Sequence, residues 1–205
     1  MTTTYLELVS ERATGRVTEQ ICREIGGLVS EGGLIAEPAQ LRTYECDGLT
    51  GFRVAPALVV LPVSTEEVAA VVRVCARERI AFVARGAGTG LSGGALPVAD
   101  GIVIGLARMR EILSVDAENQ RAVVQPGVTN LGISAAVAAH NLYYAPDPSS
   151  QVVCTIEGNV AEKGPEASAI VTTWLGWTTS AKRVAGKFPE SPQGQRFMFI
   201  AYGRK

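Results

Sequence analysis

Arg85-Gly-Ala-Gly-Thr-Gly-Leu-Ser-Gly-Gly94 gathers five glycines into ten residues, directly after a short run of small and apolar side chains. Glycine leaves the backbone unshielded, so consecutive N–H groups in such a loop can form a concave site for a phosphate or pyrophosphate. Thr89 and Ser92 add hydroxyl donors, and Arg85 adds a positive charge. A mobile turn between two strands is the alternative, but a turn needs fewer glycines. The stretch therefore predicts a loop that binds an anion.

The same stretch contains Gly88-Thr-Gly-Leu-Ser-Gly93, which matches the GxGxxG fingerprint of dinucleotide-binding proteins. In a Rossmann fold that loop must open a helix, because the helix N-terminus holds the pyrophosphate. Here the chain continues into Ala95-Leu-Pro-Val-Ala-Asp-Gly101, where a proline and a turn pair argue against a helix and exclude a Rossmann site. A Walker loop needs a lysine after its last glycine, and the first lysine of the chain is Lys163, which excludes that class of nucleotide hydrolysis as well.

Hydrophobic periodicity around the loop predicts a mixed α/β (α+β) fold, with a βαβ start followed by antiparallel strands. Ser64-Thr-Glu-Glu67 is a capping box that begins a helix running to about Arg79, and Thr129 is the expected N-cap of a later helix. The other predicted elements are a helix over 17–33 that stops at Gly32-Gly33, strands over 57–61, 80–84 and 102–106, a hairpin of 112–115 with 121–125, a helix over 129–139 and a loop over 143–150.

The composition is that of a globular protein. The 205 residues are 47% hydrophobic and 19% charged with a net charge of −1, so nothing global indicates nucleic acid or an anionic membrane as a partner. The N-terminus lacks the pattern of a secretory signal, and the apolar stretches are too short for a transmembrane segment, so a cytoplasmic protein is expected. The four cysteines are scattered and His140 is the only histidine, so neither a disulfide framework nor a metal site is expected.

The charge changes abruptly near residue 162. Residues 1–162 hold twelve basic residues, all arginine, and eighteen acidic ones, a net charge of −6, whereas residues 163–205 hold seven and two, a net of +5. All four lysines and both tryptophans follow this seam. The shift favours a different origin for the tail, by frameshift, fusion or truncation, over a basic element of the same domain. In the tail, 167–175 predicts a strand or short helix, 188–195 a loop and 196–202 a strand.

Several ordered sequence blocks point to one family. They are Tyr44-Glu-Cys-Asp-Gly-Leu-Thr50, the glycine stretch through Ala95, Gln125-Pro-Gly-Val128, His140-Asn-Leu-Tyr-Tyr-Ala-Pro-Asp-Pro-Ser-Ser150 and Gly158-Asn-Val-Ala-Glu162. Over residues 44–162 the chain resembles the glycolate oxidase D subunit and FAD-linked D-lactate dehydrogenase family, which has the vanillyl-alcohol-oxidase or PCMH type of FAD-binding fold. The resemblance implies three parts: an N-terminal helical lead-in (1–52), an incomplete PCMH-type FAD-binding domain (53–162) and a divergent basic tail (163–205).

The resemblance also implies how FAD would lie along the chain, with its pyrophosphate wrapped by the backbone of the glycine stretch. The implied cofactor-binding residues are Arg85, Gly86, Ala87, Gly88, Thr89, Gly90, Leu91, Ser92, Gly93 and Gly94 at the pyrophosphate, Pro126 and Gly127 along the cofactor channel, Pro146, Asp147, Pro148 and Ser149 near the ribityl and flavin end, and Ile156, Gly158, Asn159 and Val160 in the wall that continues it. Some relatives attach FAD through a histidine, but His140 lies outside the glycine loop, so non-covalent FAD is expected.

Two departures from the family pattern bear on activity. The family usually has Ile-Gly-Gly-Asn where this chain has Ile156-Glu-Gly-Asn159. The glutamate places a carboxylate beside an anionic cofactor, and it would strain the backbone if that position needs a positive φ. After Glu162 the family continues through the rest of its flavin domain and a substrate cap, which hold the groups that bind and deprotonate the hydroxy acid. We therefore assign no catalytic residue in this chain.

The resemblance implies oxidation of a 2-hydroxy acid, glycolate or D-lactate, to a 2-oxo acid with hydride transfer to FAD. Electrons would leave through partner flavin and iron–sulfur subunits, in the cytoplasm or at the inner membrane surface through those partners. The alternative is a catalytically inactive remnant that at most binds FAD or a partner subunit. An incomplete sheet would also expose strand edges and apolar surface, which predicts poor solubility of the chain.

Overall fold

The computed structural model describes residues 15–144, 152–161, 196–197 and 199–201. The chain divides into two compact units, Met1–Met109 and Arg110–Lys205. Each unit has its own strands and its own cluster of buried apolar side chains. Within the described ranges, no helix has the length and apolarity that crossing a bilayer would require.

The first unit alternates helices and strands around the predicted βαβ motif. Its elements are α1 (Glu19–Gly26), β1 (Leu34–Ile35), α2 (Pro38–Leu41), a 3-10 helix (Arg42–Tyr44), β2 (Leu58–Val60), α3 (Thr65–Glu78), β3 (Phe82–Arg85) and β4 (Ile102–Gly105). Strands β2 and β3 both run parallel to β4, which lies between them, and β1 pairs antiparallel with β2. The βαβ motif is therefore β2–α3–β3, with its two strands separated by β4.

The central strands of this sheet are buried on both faces. Every residue of β2 and β4 is buried, as is typical of parallel strands covered on both sides. Leu58 and Val60 join the core cluster that includes residues of α1 and α3, whereas Val59 lies in a separate cluster with Leu41 and Val103. Consecutive strand residues thus serve opposite faces of the sheet, which explains why these strands read as continuous apolar runs.

Helix α1 ends earlier than the sequence predicted. The apolar spacing predicted a helix over 17–33, but the helical backbone stops at Gly26, and the Gly27 N–H donates to the carbonyl groups of Arg23 and Glu24 at 3.1 Å each. Glycine destabilises helix interiors and favours helix ends, so the Gly26-Gly27 pair stops the helix. Leu28 and Val29 still pack against the core from the following turn, which explains why the apolar spacing continues past the helix.

The predicted start of α3 is confirmed, with one change in its hydrogen bonds. The Ser64 hydroxyl accepts the Glu67 N–H at 3.2 Å, as an N-cap should. The Glu67 carboxylate does not return to Ser64 but accepts from the Val63 N–H at 2.9 Å and from the N–H and hydroxyl of Ser30 at 3.1 and 2.5 Å. Burial opposes ionisation of Glu67, but the hydrogen bonds from Ser30 and Val63 outweigh it and hold its pKa below the usual value.

Strand β3 begins at Phe82 rather than at residue 80, because the cap of α3 uses the residues before it. Arg79 adopts the left-handed conformation with φ of 55°, and the Ile80 N–H donates back to the Cys75 carbonyl at 2.9 Å. A left-handed residue with such a bond is a common helix terminus. Ile80 and Ala81 are buried, so the apolar pattern alone does not separate them from the strand.

The second unit is built on the predicted hairpin. Its elements are β5 (Ile112–Asp116), β6 (Arg121–Val124), α4 (Asn130–Val137), a 3-10 helix (Ala138–His140), β7 (Leu142–Tyr143), α5 (Ile156–Ala161), β8 (Arg196–Phe197) and β9 (Phe199–Ala201). Thr129 caps α4 as predicted, because its hydroxyl accepts the Gly132 N–H at 3.1 Å. The buried side chains of this unit form one cluster that includes Val124, Ile133 and Ile156.

The tail contributes two short strands to this unit. The strand predicted over 196–202 is present as β8, which pairs parallel with β7, and β9, which pairs parallel with β6. Tyr143 belongs to β7 rather than to the predicted loop, and residues 145–150 of that loop lie outside the described residues. The predictions over 167–175 and 188–195 also lie outside them.

Candidate cofactor site

The glycine loop leaves the sheet at the carboxyl end of β3. Arg85 is the last residue of that strand, and the chain forms neither a helix nor a strand again until β4 begins at Ile102. The prediction that no helix follows the loop is confirmed, so the chain lacks the helix that a Rossmann site requires. Ligand sites of parallel sheets gather at the carboxyl ends of the strands, which is where this loop lies.

The backbone N–H groups from residue 87 to residue 95 are unused within the part of the chain that the structure describes, since none of them donates a hydrogen bond there. Thr89 and Ser92 are exposed beside them, and Leu91 between these two is 73% exposed. Backbone N–H groups in folded proteins nearly always find a partner, so a run without one is open to water or to an acceptor-rich ligand. A pyrophosphate is such a ligand.

Arg85 supports the loop from within the protein. Its side chain is buried, and Nη1 donates to the Cys46 carbonyl at 2.8 Å and to the Ala95 carbonyl at 3.3 Å. The guanidinium Cζ also lies 5.6 Å from the centre of the Tyr44 ring, within the range of a cation–π contact. The sequence predicted that the Arg85 side chain adds a positive charge for the ligand. In the structure this side chain joins the end of the loop to the segment around Cys46.

Two glycines allow this close packing. A Cβ on Gly48 would lie 2.6 Å from the carbonyl oxygens of both Thr89 and Gly90. Gly88 has φ of +69°, and a Cβ there would lie 2.5 Å from Cζ of Arg85. The backbone of residue 48 thus contacts the loop directly, and the guanidinium occupies the space beside Gly88.

The contact with Gly48 also sets the direction of the neighbouring N–H groups. The carbonyl groups of Thr89 and Gly90 face Gly48, and the N–H of a trans peptide points opposite to its carbonyl. The N–H groups of Gly90 and Leu91 therefore point away from Gly48. The loop has a back, formed by carbonyl groups against residue 48, and a front, where N–H groups face outward.

Asp47 is a buried acidic residue in the segment from Tyr44 to Thr50, which packs against the loop and is called the supporting segment. It is 4% exposed, and its Oδ1 accepts the Leu49 N–H at 2.8 Å, which fixes the turn that carries Gly48. Its other oxygen, Oδ2, is buried without a hydrogen-bond partner in the described part of the chain. The block from Tyr44 to Thr50 marks the family resemblance, but nothing in its residue pattern predicts that it lies against the glycine loop.

The second unit brings two of the other predicted segments together. The Ile156 N–H donates to the Val128 carbonyl at 3.0 Å, and the Glu157 N–H donates to the Pro126 carbonyl at 3.1 Å. The first turn of α5 is thereby held against the turn of Pro126 and Gly127. A Cβ on Gly158 would meet no atom of the described residues within 4 Å.

Glu157, which stands where the family usually has glycine, lies in α5 without backbone strain. It is not among the described residues with positive φ, so the strain expected at this position is absent. Its side chain is half-buried. The glutamate therefore differs from the family's glycine mainly by its carboxylate, which would repel an anionic ligand nearby.

The structure leaves part of the predicted site undescribed. Asn159 and Val160 lie in α5, and the predicted cofactor residues outside the described ranges are Pro146, Asp147, Pro148 and Ser149. His140 ends the 3-10 helix after α4 and is exposed. Among the described residues, no group of histidine, cysteine, aspartate or glutamate side chains could hold a metal ion.

Comparison with known proteins decides the family. The sequence model of a family described as FAD binding domain matches residues 56–172, which is more than half of the chain and extends past the seam at residue 162. The chain belongs to this family. FAD is accordingly its cofactor, and the prediction of non-covalent FAD agrees with this membership.

Curated relatives place the chain in the glycolate oxidase and FAD-linked lactate dehydrogenase branch. Glycolate oxidase subunit GlcD of Escherichia coli (strain K12) is 61% identical over 119 residues, which are 58% of this chain and 24% of that protein. The GlcD subunit of Bacillus subtilis (strain 168) is 40% identical over 119 residues, 58% of this chain and 25% of its own. The D-lactate dehydrogenase of Anaerostipes hadrus is 41% identical over 106 residues, 52% and 22% respectively. The chain spans about a quarter of the length of these relatives.

Solved structures confirm the predicted fold. Alkyldihydroxyacetonephosphate synthase aligns with 72% of this chain and 29% of its own, with a TM-score of 0.65 and 23% identity. p-Cresol methylhydroxylase aligns with 75% of this chain and 30% of its own, with a TM-score of 0.59 and 22% identity. At these identities the likeness shows the fold alone, which is the PCMH-type FAD-binding fold.

Proposed function

We propose that this chain binds the pyrophosphate of FAD on the front of the glycine loop and forms the cofactor-binding part of a 2-hydroxy-acid oxidoreductase. The observation that carries the proposal is the run of N–H groups from residue 87 to residue 95, which have no acceptor among the described residues. Such a run suits a ligand with many acceptor oxygens in one place. Thr89 and Ser92 are exposed on the same loop, and their hydroxyl groups add donors.

The remaining cofactor contacts of the proposal follow the family resemblance. Pro126 and Gly127 are joined to Ile156 and Glu157 through backbone hydrogen bonds, which supports a shared role for the two segments within the second unit. We retain two further sets of residues as part of the proposal. Near the ribityl and flavin end they are Pro146, Asp147, Pro148 and Ser149, and in the wall that continues it they are Ile156, Gly158, Asn159 and Val160. The carboxylate of Glu157 would weaken rather than abolish binding of an anion near it.

The reaction that we propose is oxidation of a 2-hydroxy acid to a 2-oxo acid. Bound FAD would supply the redox chemistry by accepting hydride from the substrate carbon, while this chain places and holds the cofactor. Glycolate and D-lactate are the substrates in the names of the relatives, and both are small 2-hydroxy acids. The groups that bind and deprotonate the hydroxy acid are not assigned to residues of this chain.

The partners and the cellular place belong to the same proposal. GlcD is named as a subunit, which supports an assembly in which electrons leave through partner flavin and iron–sulfur subunits. Through such partners the protein would work in the cytoplasm, at the surface of the inner membrane. The division into a lead-in of residues 1–52, a FAD-binding part of 53–162 and a basic tail of 163–205 is likewise proposed.

The visible absorbance spectrum tests the proposal directly. The full chain is purified, mixed with FAD and desalted, with free FAD passed over the same column as the control. A flavin band that stays with the protein supports the proposal, and a protein without flavin refutes it. Anaerobic addition of glycolate or D-lactate to the loaded protein then tests turnover, because reduction bleaches the band.

A catalytically inactive chain is the second candidate. The carboxylate at residue 157, where the family usually has glycine, favours it. Such a chain would bind FAD or a partner subunit and do no more. Retained flavin that neither hydroxy acid bleaches supports this candidate, whereas bleaching with either acid excludes it.

A further inference from the structure

Arg85 joins two separate stretches of chain across the base of the glycine loop. One guanidinium nitrogen, Nη1, donates both to Cys46 in the supporting segment and to Ala95 at the end of the loop. Since Arg85 itself is the residue at which the loop begins, these bonds close the loop into a ring. Hydrogen bonds from a charged donor are among the stronger ones in proteins.

The position of the guanidinium argues against direct contact with a ligand on the front of the loop. Arg85 is 9% exposed, and Gly88 packs against it in a left-handed conformation with φ of +69°. Nη1 could reach a ligand only by leaving the carbonyl groups of Cys46 and Ala95, and Gly88 lies against Nη2, Cζ and Nε. Two half-buried acceptors would then lose their donor, which is costly.

The charge of Arg85 is not neutralised by an ion pair in the described part of the chain. Ion pairs involve other arginines, such as Arg53 with Glu45 at 2.6 Å, and the buried Asp47 carboxylate accepts from Leu49 rather than from Arg85. A buried cation without a contacting carboxylate raises the positive potential of the loop around it. That potential and the outward N–H groups favour the same kind of ligand, an anion.

We infer that Arg85 is a positioning residue, which holds the glycine loop from behind and presents its N–H groups to the two phosphates of the dinucleotide without touching them. The inference rests on the proposed function and deepens it, because it assigns the phosphate contacts to the backbone and the loop shape to one side chain. It commits the site to a ligand with a pyrophosphate group rather than to a flavin without phosphates.

Substitution by lysine separates positioning from direct contact. A lysine keeps the charge and binds phosphate well as a point charge. Its side chain is shorter, so its ammonium does not reach the position from which Nη1 donates to both carbonyl groups, and it lacks the guanidinium that lies over the Tyr44 ring. We expect Arg85→Lys to weaken FAD binding by at least tenfold, nearly as much as Arg85→Met. Arg53→Met is the matched control, because it removes an exposed arginine that pairs with Glu45 without touching the loop, and we expect less than a twofold change.

The readout is the dissociation constant of the full chain for FAD and for riboflavin, which lacks both phosphates. We expect the Arg85 variants to lose FAD affinity and to keep riboflavin affinity within about twofold, with unchanged circular dichroism. Wild-type FAD affinity in Arg85→Lys would overturn the inference and indicate a direct phosphate contact. Equal losses for FAD and riboflavin would overturn it in favour of general destabilisation. Failure of the wild-type chain to bind FAD would instead refute the proposed function.

Discussion

Replacing Gly48 with alanine would push the glycine loop away from the segment that supports it. The new Cβ would lie 2.6 Å from two backbone carbonyl oxygens, whereas ordinary contact begins at 3.4 Å. Backbone atoms cannot rotate aside as a side chain does, so the loop and residue 48 must separate by about 0.8 Å, and overpacking of this kind costs about 1–3 kcal/mol. Gly48 does not have a positive φ, so the effect of the substitution is steric.

The displaced atoms belong to the peptides that carry the N–H groups of Gly90 and Leu91. If the whole cost appears in binding, the dissociation constant for FAD rises by about 5-fold to about 150-fold. Isothermal titration of the full chain with FAD measures this, and thermal unfolding shows how much of the cost falls on stability. Gly51→Ala is the control, since a Cβ there meets no atom within 4 Å. Wild-type FAD affinity together with a wild-type melting temperature in Gly48→Ala would refute the packing argument.

Three further predictions concern the framework around the site. Glu67→Gln should lower the free energy of unfolding by about 1 kcal/mol at pH 7, because it weakens the bonds from Ser30 and Val63. The pKa of Glu67 is lowered in the folded protein, so the difference in unfolding free energy between the two proteins should have its full size above about pH 4.5. It should vanish as the pH falls through the pKa of Glu67 in the folded protein. Urea titrations at both ends of that pH range check this. Burial raises the pKa of the Cys75 thiol to about 11, so labelling of Cys75 with a thiol reagent at pH 8 should require unfolding, and rapid labelling in native buffer would contradict its burial. Thr129→Ala should cost about 1 kcal/mol by removing the N-cap of α4, measured by urea unfolding with Thr129→Ser as the control that keeps it.

The sequence predicted the elements whose local signals agree with their packing. Helix α3 has a capping serine, an amphipathic pattern and a clear end, and its predicted and observed ranges coincide. The hairpin of β5 and β6 was predicted because a polar turn separates two apolar runs. The errors lie at ends. The pattern carried α1 past Gly26 because Leu28 and Val29 are core residues outside the helix, and it included Ile80 in β3 although its N–H completes a helix cap.

The candidate site was predicted as a chemical motif but not as a structure. Five glycines in ten residues indicated an anion-binding backbone, and the structure shows those N–H groups without partners in the described chain. The sequence also predicted Arg85 as a positive charge for the ligand, but in the structure its guanidinium donates to the carbonyl groups of Cys46 and Ala95. The support from Gly48 depends on a contact between distant parts of the chain, which neither periodicity nor spacing encodes.

The position of β4 between β2 and β3 links the cofactor loop to the order in which the first unit can fold. The chain reaches β4 only after passing through the loop. Strands β2 and β3 do not pair with each other, so the sheet cannot join them until β4 forms between them. Closure of the loop is therefore an obligatory event on the way to a complete sheet, and its entropic cost falls before the central strand is paired. Glycines in this segment make the closing chain more flexible and that cost larger. The nucleus of this unit should accordingly contain Ile102–Gly105, and the substitution Val103→Ala should slow refolding more than it speeds unfolding.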